Sequence, residues 1–388
     1  MSHEEYREVL EDVLRYSRER GYTGYDKHDG MSSRVLQQLP IDNQVINLCV
    51  QETIKRAPIN LRPIFAVERR QSPVGLSLFT LANRRMYDLT NDVRYIRDAE
   101  FLINRVQEFG IESTDTGFAL PHNHELQRIG KTIPRGTPRV VATTWGVEAL
   151  LRMADRDDSY SELAHSVTEF VEDQLAPMST DKGIKVKYKP TDDTNHYTIN
   201  ANAVTARMYS DLYVNSPSES YERYARGILQ YVANCQEPNG GWYYRDPPSS
   251  SHLSMDNYHN GYIIESFQNY GEVFDDEFEP VVETALSFYR DRLFEETGAP
   301  NWDENSSYPK DIVAVAQGVV VFVKAGKLEF ARRILDWALA NLYAGDGRFY
   351  YQQRWCYTKR FTLMRWCQAW MVHAISTFLQ EHYPDNPG

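Results

Sequence analysis

The chain lacks the features that mark several large functional classes. It has four cysteines, Cys49, Cys235, Cys356 and Cys367. None forms a C-x-x-C pair or sits at zinc-ligand spacing, which argues against a cysteine-built zinc site or a dithiol redox motif. They read as small buried hydrophobes. No segment approaches the roughly 18 apolar residues that a membrane span needs. The stretch from Met1 to Arg20 is charged and amphipathic, without the apolar centre of a secretory signal, so a cytoplasmic chain is expected. Phosphate-loop and dinucleotide fingerprints are missing, and no cofactor is expected. Basic runs are missing too. With a net charge of −12, the chain has no electrostatic footprint for nucleic acid, and none is expected as a partner.

The sequence does hold a repeating pattern. Six apolar helical segments begin near Gly75, Arg139, Thr198, Tyr258, Ile312 and Leu363, at steps of roughly 50 to 65 residues, a range that marks helical arrays. The segment Asp311–Gly318 is apolar almost all round, as a helix buried on both sides must be. The first five segments are each followed by a more charged one: Asn91–Phe109, Ser159–Leu175, Ser218–Cys235, Asp276–Leu293 and Lys327–Leu342. In the last of these Phe330, Ile334, Leu335, Ala338 and Leu342 form one apolar stripe, the signature of an outward-facing helix. The sixth segment, Leu363–Leu379, lacks such a follower, and the N-terminal helix Glu4–Arg20 lacks a leader. Pairing those two closes a ring. The predicted fold is all-α: an (α/α)6 toroid, a six-hairpin barrel, with short β hairpins in the loops at its open end. Residues 1–383 form one domain and 384–388 a flexible tail. Strand candidates are Gly183–Pro190, Gly240–Tyr244 and Gly347–Tyr351.

Every outer-to-inner loop of such a ring emerges at the same end, and those loops carry the unusual residues. A basin lined by Asp26, His196, Asn200, Trp242, Tyr258, Trp302, Tyr308, Lys310, Arg354, Trp355, Lys359, Arg365 and Trp366 suits a sugar. Aromatic faces stack on a pyranose, while amide, imidazole and carboxylate groups bond its hydroxyls. Helix N-termini converging on it favour an anionic group, and Lys310, Lys359 and Arg365 add positive charge. Asp29, Asp256 and Asp311 are the candidate catalytic carboxylates, with His259 on the helix face of Asp256. A plain helix-capping role is the competing reading for Asp256 and Asp311. His122 and His124 form an H-x-H pair without a third ligand in view, so no metal is expected.

Four stretches carry a resemblance: Asp26-Lys-His-Asp-Gly-Met-Ser-Ser33, Asn239-Gly-Gly-Trp-Tyr-Tyr244, Met255-Asp-Asn-Tyr-His-Asn-Gly-Tyr262 and Met364-Arg-Trp-Cys-Gln-Ala-Trp370. In order and spacing the chain resembles the six-hairpin glycosidase-like proteins of prokaryotic surface-glycan and N-glycosylation gene clusters, haloarchaeal ones included. These are related to unsaturated glucuronyl hydrolases, uronate lyases and sugar epimerases. The resemblance implies a carbohydrate-active enzyme working on a uronic-acid-containing glycan or precursor, with hydrolysis first and elimination or epimerisation as alternatives. A non-catalytic glycan-binding or scaffold protein is the other reading, and a toroid acting on a prenyl chain a weaker third. The chain departs from the family pattern at Phe118-Ala-Leu-Pro121, where an aromatic Trp-Gly-Tyr-Pro stretch is the rule.

Overall fold

The computed structural model describes residues 2–38, 43–111, 116–193 and 195–381. The expected tail, 384–388, lies outside the described residues.

The chain begins with α1 (His3–Arg18), α2 (Arg34–Gln38) and α3 (Gln44–Arg56). Ser2 starts α1 with a capping box, closed reciprocally by Glu5. Five antiparallel hairpins follow, each an inner helix and its outer partner: α4 (Pro73–Thr90) with α5 (Val93–Ile111), α6 (Val140–Arg152) with α7 (Asp158–His165) and α8 (Val167–Gln174), α9 (Ile199–Asn215) with α10 (Glu219–Ala233), α11 (Asn257–Val273) with α12 (Glu279–Arg292), and α13 (Ile312–Lys324) with α14 (Leu328–Leu342). The last inner helix, α15 (Trp370–Glu381), is preceded by a π-helical turn, Met364–Ala369.

The inner helices touch in the order α4, α6, α9, α11, α13, α15 and back to α4, while α1 packs against α15. The result is a closed ring, an (α/α)6 toroid. The first five inner helices begin within two residues of the positions read from the sequence; at the sixth, the π-helical turn starts one residue after Leu363 and α15 itself at Trp370. The outer segment expected at Ser159–Leu175 is broken into two helices at Ser166, whose hydroxyl bonds the backbone carbonyl of Leu163 and receives the amide of Phe118.

Packing explains the two helix classes. Every residue of α13 from Ile312 to Val323 is buried, because inner neighbours cover one side and α14 the other. Gly318 lets the ring of Phe294 lie directly on the helix; a Cβ there would collide with that ring.

The strands are short, as expected, and all lie in loops. Met178–Thr180 pairs with Gly183–Lys185, Leu126–Arg128 with Lys131–Ile133, and Tyr197–Thr198 with Arg245–Asp246. Lys310–Asp311, Gln352–Gln353 and Thr358–Lys359 form a three-stranded patch. Two strand expectations need correction. Gly240–Tyr244 is not a strand, and Gly347–Tyr351 contributes only the isolated bridge between Phe349 and Tyr343. Among the described residues no helix is long and apolar enough to cross a membrane.

Candidate active site

Because all inner helices run in the same direction, their N-terminal turns gather at one end, and the loop Gly24–Gly30 folds across that end. The Met364 amide donates to the Tyr25 carbonyl at 3.0 Å. Gly24 lies so close that a Cβ would sit 2.6 Å from the Met364 Cβ. This contact sets the first loop of the chain beside the π-helical turn. Such turns recur at functional sites because they re-aim side chains out of the helical register. Here the turn presents Arg365 and Trp366.

Four of the sequence-nominated residues meet here with direct contacts. Asp26 accepts from Arg365 Nε and Nη2, both at 2.7 Å, and from Trp366 Nε1 at 3.1 Å. Burial works to raise its pKa, but the guanidinium prevails and holds the carboxyl well below the usual range. Tyr258 lies edge-on to Trp366, with ring centroids 6.1 Å apart.

Asp256 and His259, at the first turn of α11, form a dyad. His259 Nδ1 lies 2.7 and 2.9 Å from the two carboxylate oxygens. Asp256 occupies the N-cap position, but its carboxylate makes no capping bond. It is buried. The imidazole is flanked by Tyr258 at 4.2 Å and Tyr244 at 4.7 Å. With Nδ1–H given to the carboxylate, Nε2 is left as the basic nitrogen. Burial drives the Tyr258 phenol well above its ordinary range, so it stays protonated and can donate.

Several nominated residues have other partners. Asp29 is sealed in the interior, where Arg62 Nε lies 2.9 and 2.8 Å from its two oxygens and the Asp26 amide donates to it. Burial outweighs that guanidinium and pushes its pKa up to about 6. It braces the loop, and a role as a reacting carboxylate loses its support. Asp311 caps α13 through the Val313 amide at 3.0 Å and takes a bond from Gln352 at 2.8 Å. Trp242 is 1% exposed; its indole donates to the Val232 carbonyl at 2.8 Å and stacks on Phe267. It is a core residue, not the expected stacking platform. Lys310 pairs with Glu295 at 2.5 Å and bonds the Pro300 carbonyl, so its ammonium is neutralised within the protein. Lys359 donates to the Lys55 carbonyl at 3.1 Å, and burial lowers its pKa to about 8. Arg365, expected to grip a ligand carboxylate, grips Asp26.

The remaining nominees are more scattered. Trp355 is 82% exposed at a hairpin tip, and Tyr308 is exposed under the Lys310 ammonium. Trp302 is half-buried against the core. His196 lies 3.5 Å from Asp193. Arg354 and Asn200 each keep one buried polar atom, Nε and Oδ1, without a partner among the described residues. Phe118 and Leu120 are core residues packed near Gly146, so the departing stretch offers no stacking face.

Sequence reasoning missed Lys27, His28 and Tyr244. Lys27 Nζ lies 4.3 Å from the Trp366 ring centroid and 5.7 Å from that of Tyr258. His28 lies 6.3 Å from Trp366 and 6.4 Å from His122. Burial depresses both histidines well below the ordinary value, so both are neutral. His122 Nδ1 is 2.9 Å from the His124 carbonyl, and His124 Nδ1 is 2.9 Å from the Ser32 hydroxyl. Among the described residues no group of three or more His, Cys, Asp and Glu is arranged to hold a metal. The position of Lys27 and His28 inside a motif that already drew notice was the available signal.

The fold has solved counterparts. A cellobiose 2-epimerase from Bacillus thermoamylovorans superposes with a TM-score of 0.61 at 12% identity, over 80% of this chain and 87% of that one. A glycosyl hydrolase family 88 protein from Bacteroides vulgatus gives 0.61 at 10% identity, over 98% and 99%. A glycoside hydrolase family 76 mannosidase from Bacteroides thetaiotaomicron gives 0.61 at 12%, over 82% and 89%. The chain shares their fold. No family model matches the sequence, and no curated protein does.

Beneath the basin the axis is closed. Trp145 lies edge-on to Trp370 at 5.1 Å and to Tyr262 at 6.4 Å, and Tyr262 and Trp370 are 5.5 Å apart. Under this plug Arg207 lies on the Trp145 face at 4.1 Å and bonds Glu265 at 2.7 Å and Glu148 at 3.1 Å. Gln317 donates to the other Glu265 oxygen at 2.7 Å. Two open surface clefts, of 290 and 370 Å³, contain none of the basin residues.

Proposed function

We infer that this chain is a carbohydrate-active enzyme that performs acid–base chemistry on a uronic-acid-containing glycan or glycan precursor, with His259 as the proton-transferring group. The observation that carries this is the dyad: a buried carboxylate fixes one imidazole nitrogen and two tyrosines clasp the ring. Proton removal from a sugar carbon needs a positioned base of this kind. Tyr258, protonated and in contact with the base, is the donor for oxygen. His28, neutral and edge-on to Trp366 at 6.3 Å, is a second proton carrier. The sugar epimerase among the fold's counterparts supports the reading at the level of substrate class.

This arrangement favours epimerisation or β-elimination over two-carboxylate hydrolysis, because Asp311 is committed to the start of α13. Hydrolysis is the second reading. Its support is the family 88 hydrolase, which matches over nearly the whole of both chains.

A screen of uronate-containing oligosaccharides in deuterated water separates these reactions by mass. Epimerisation adds one deuterium at carbon, hydrolysis adds water, and elimination yields an unsaturated product absorbing in the near ultraviolet. The His259→Asn variant should lose about 10²- to 10⁴-fold in turnover with its thermal unfolding unchanged. Undiminished turnover in that variant removes the assignment.

A further inference from the structure

We propose that Lys27 forms the anion-recognition subsite of this basin, and that the group it selects is the carboxylate of a uronosyl residue. The proposal rests on the sugar-site reading above and assigns the residue that makes it selective.

Most cations at this end of the ring already have partners. Arg365 is matched by Asp26, Arg62 by Asp29, and Lys310 by Glu295. Lys359 is held by a backbone carbonyl. Lys27 differs from all of these. Its side chain is 9% exposed, yet among the described residues it has neither an ion-pair partner nor a hydrogen-bond acceptor. Its ammonium contacts the faces of Trp366 and Tyr258 instead. Aromatic faces attract a cation, but they leave the three N–H donors of an ammonium without acceptors. Asp256 and Asp311 are near enough to act on the charge, but both are engaged elsewhere.

A buried charge without a counterion is unfavourable, and an incoming anion relieves it. Lys27 lies against the same Tyr258 ring that flanks His259. An anionic substituent held on Lys27 therefore brings the attached sugar to the Tyr258 side of the site, where the imidazole lies. A carboxylate fits better than a phosphate, because a dianion would face Asp26, Asp256 and Asp311 at close quarters.

The test is a calorimetric or NMR titration of wild type, Lys27→Met, Lys27→Arg and His259→Asn. The probes are D-glucuronate, D-galacturonate and D-mannuronate, each against its neutral parent hexose, plus D-glucose 6-phosphate. In wild type at least one uronate should bind more tightly than its parent. Lys27→Met should weaken that uronate about ten- to a hundred-fold, the worth of a charge-assisted hydrogen bond, and leave the neutral sugar unchanged. Lys27→Arg should restore most of the loss, which excludes misfolding as the cause. Equal binding of uronates and neutral sugars overturns the proposal. So does a Lys27→Met effect that is the same for both, or a preference for the phosphate. His259→Asn should bind the uronate like wild type. If it also turns substrate over, the dyad reading fails while the anion subsite stands.

Discussion

Removing Arg207 should destabilise the ring through the charges it leaves behind. Its guanidinium is buried under Trp145 between Glu265 and Glu148. In Arg207→Met, the side-chain volume is roughly kept, but Glu265, itself 4% exposed, retains only Gln317 as a donor. Breaking a buried pair from one side costs about 3–5 kcal/mol. With an unfolding entropy of about 2.1 cal/mol/K per residue, a chain of 388 residues has about 0.8 kcal/mol/K at its midpoint. The expected loss is therefore about 4–6 °C in Tm, read by calorimetry. Glu265→Leu alone should cost a similar amount, because it strands the guanidinium. The double variant Arg207→Met/Glu265→Leu should recover to within about 1–2 °C of wild type, since replacing a buried pair by apolar groups is close to neutral. If Arg207→Met melts within about 1 °C of wild type, water reaches the axis, and the closed plug is refuted.

Two other expectations follow from the same interior. Burial raises the Asp211 pKa to about 7 from 3.8, so between those values the folded state binds a proton that the unfolded state has released. The Asp211 contribution to stability should fall as pH rises from about 4 to about 7 and flatten above that, and the difference between wild-type and Asp211→Asn thermal melts across that range should trace it. Gly318→Ala drives a methyl group into the Phe294 ring and should cost about 1–3 kcal/mol in denaturant unfolding.

Periodicity made the ring legible. An all-apolar segment such as Ile312–Val323 and a one-faced one such as Leu328–Leu342 differ in composition alone, and their alternation dictates inner and outer layers. The common mouth was legible for the same reason. What composition hides is which charges are already matched. Arg365 finds Asp26 across 339 positions, and Asp29 finds Arg62 across 33; nothing local to either residue announces its partner. Trp242 misled because it lies in an outer-to-inner loop, where an aromatic residue reads as facing the mouth. In the structure Gly240, at φ +93°, lies against the Thr284 backbone, and Gly241 admits the Phe288 ring, so the turn drives the indole inward. Lys27 was hidden by the converse: its aromatic contacts come from Tyr258 and Trp366, more than two hundred positions away.

The order in which the polypeptide leaves the ribosome now matters. α15 lies between α13 and α4 and also receives α1, and the Tyr6 hydroxyl reaches Asp336 at 2.5 Å. The helix that joins the circle is thus made after the other helices of the ring, and its contacts reach back to the first of them. Until it arrives, the valine-rich flank of α13 and the facing side of α4 have nothing to cover them. Such long-range closure folds slowly and leaves adhesive intermediates, so nascent chains stalled before Met364 should be bound by chaperones or degraded, with little survival as a partial ring.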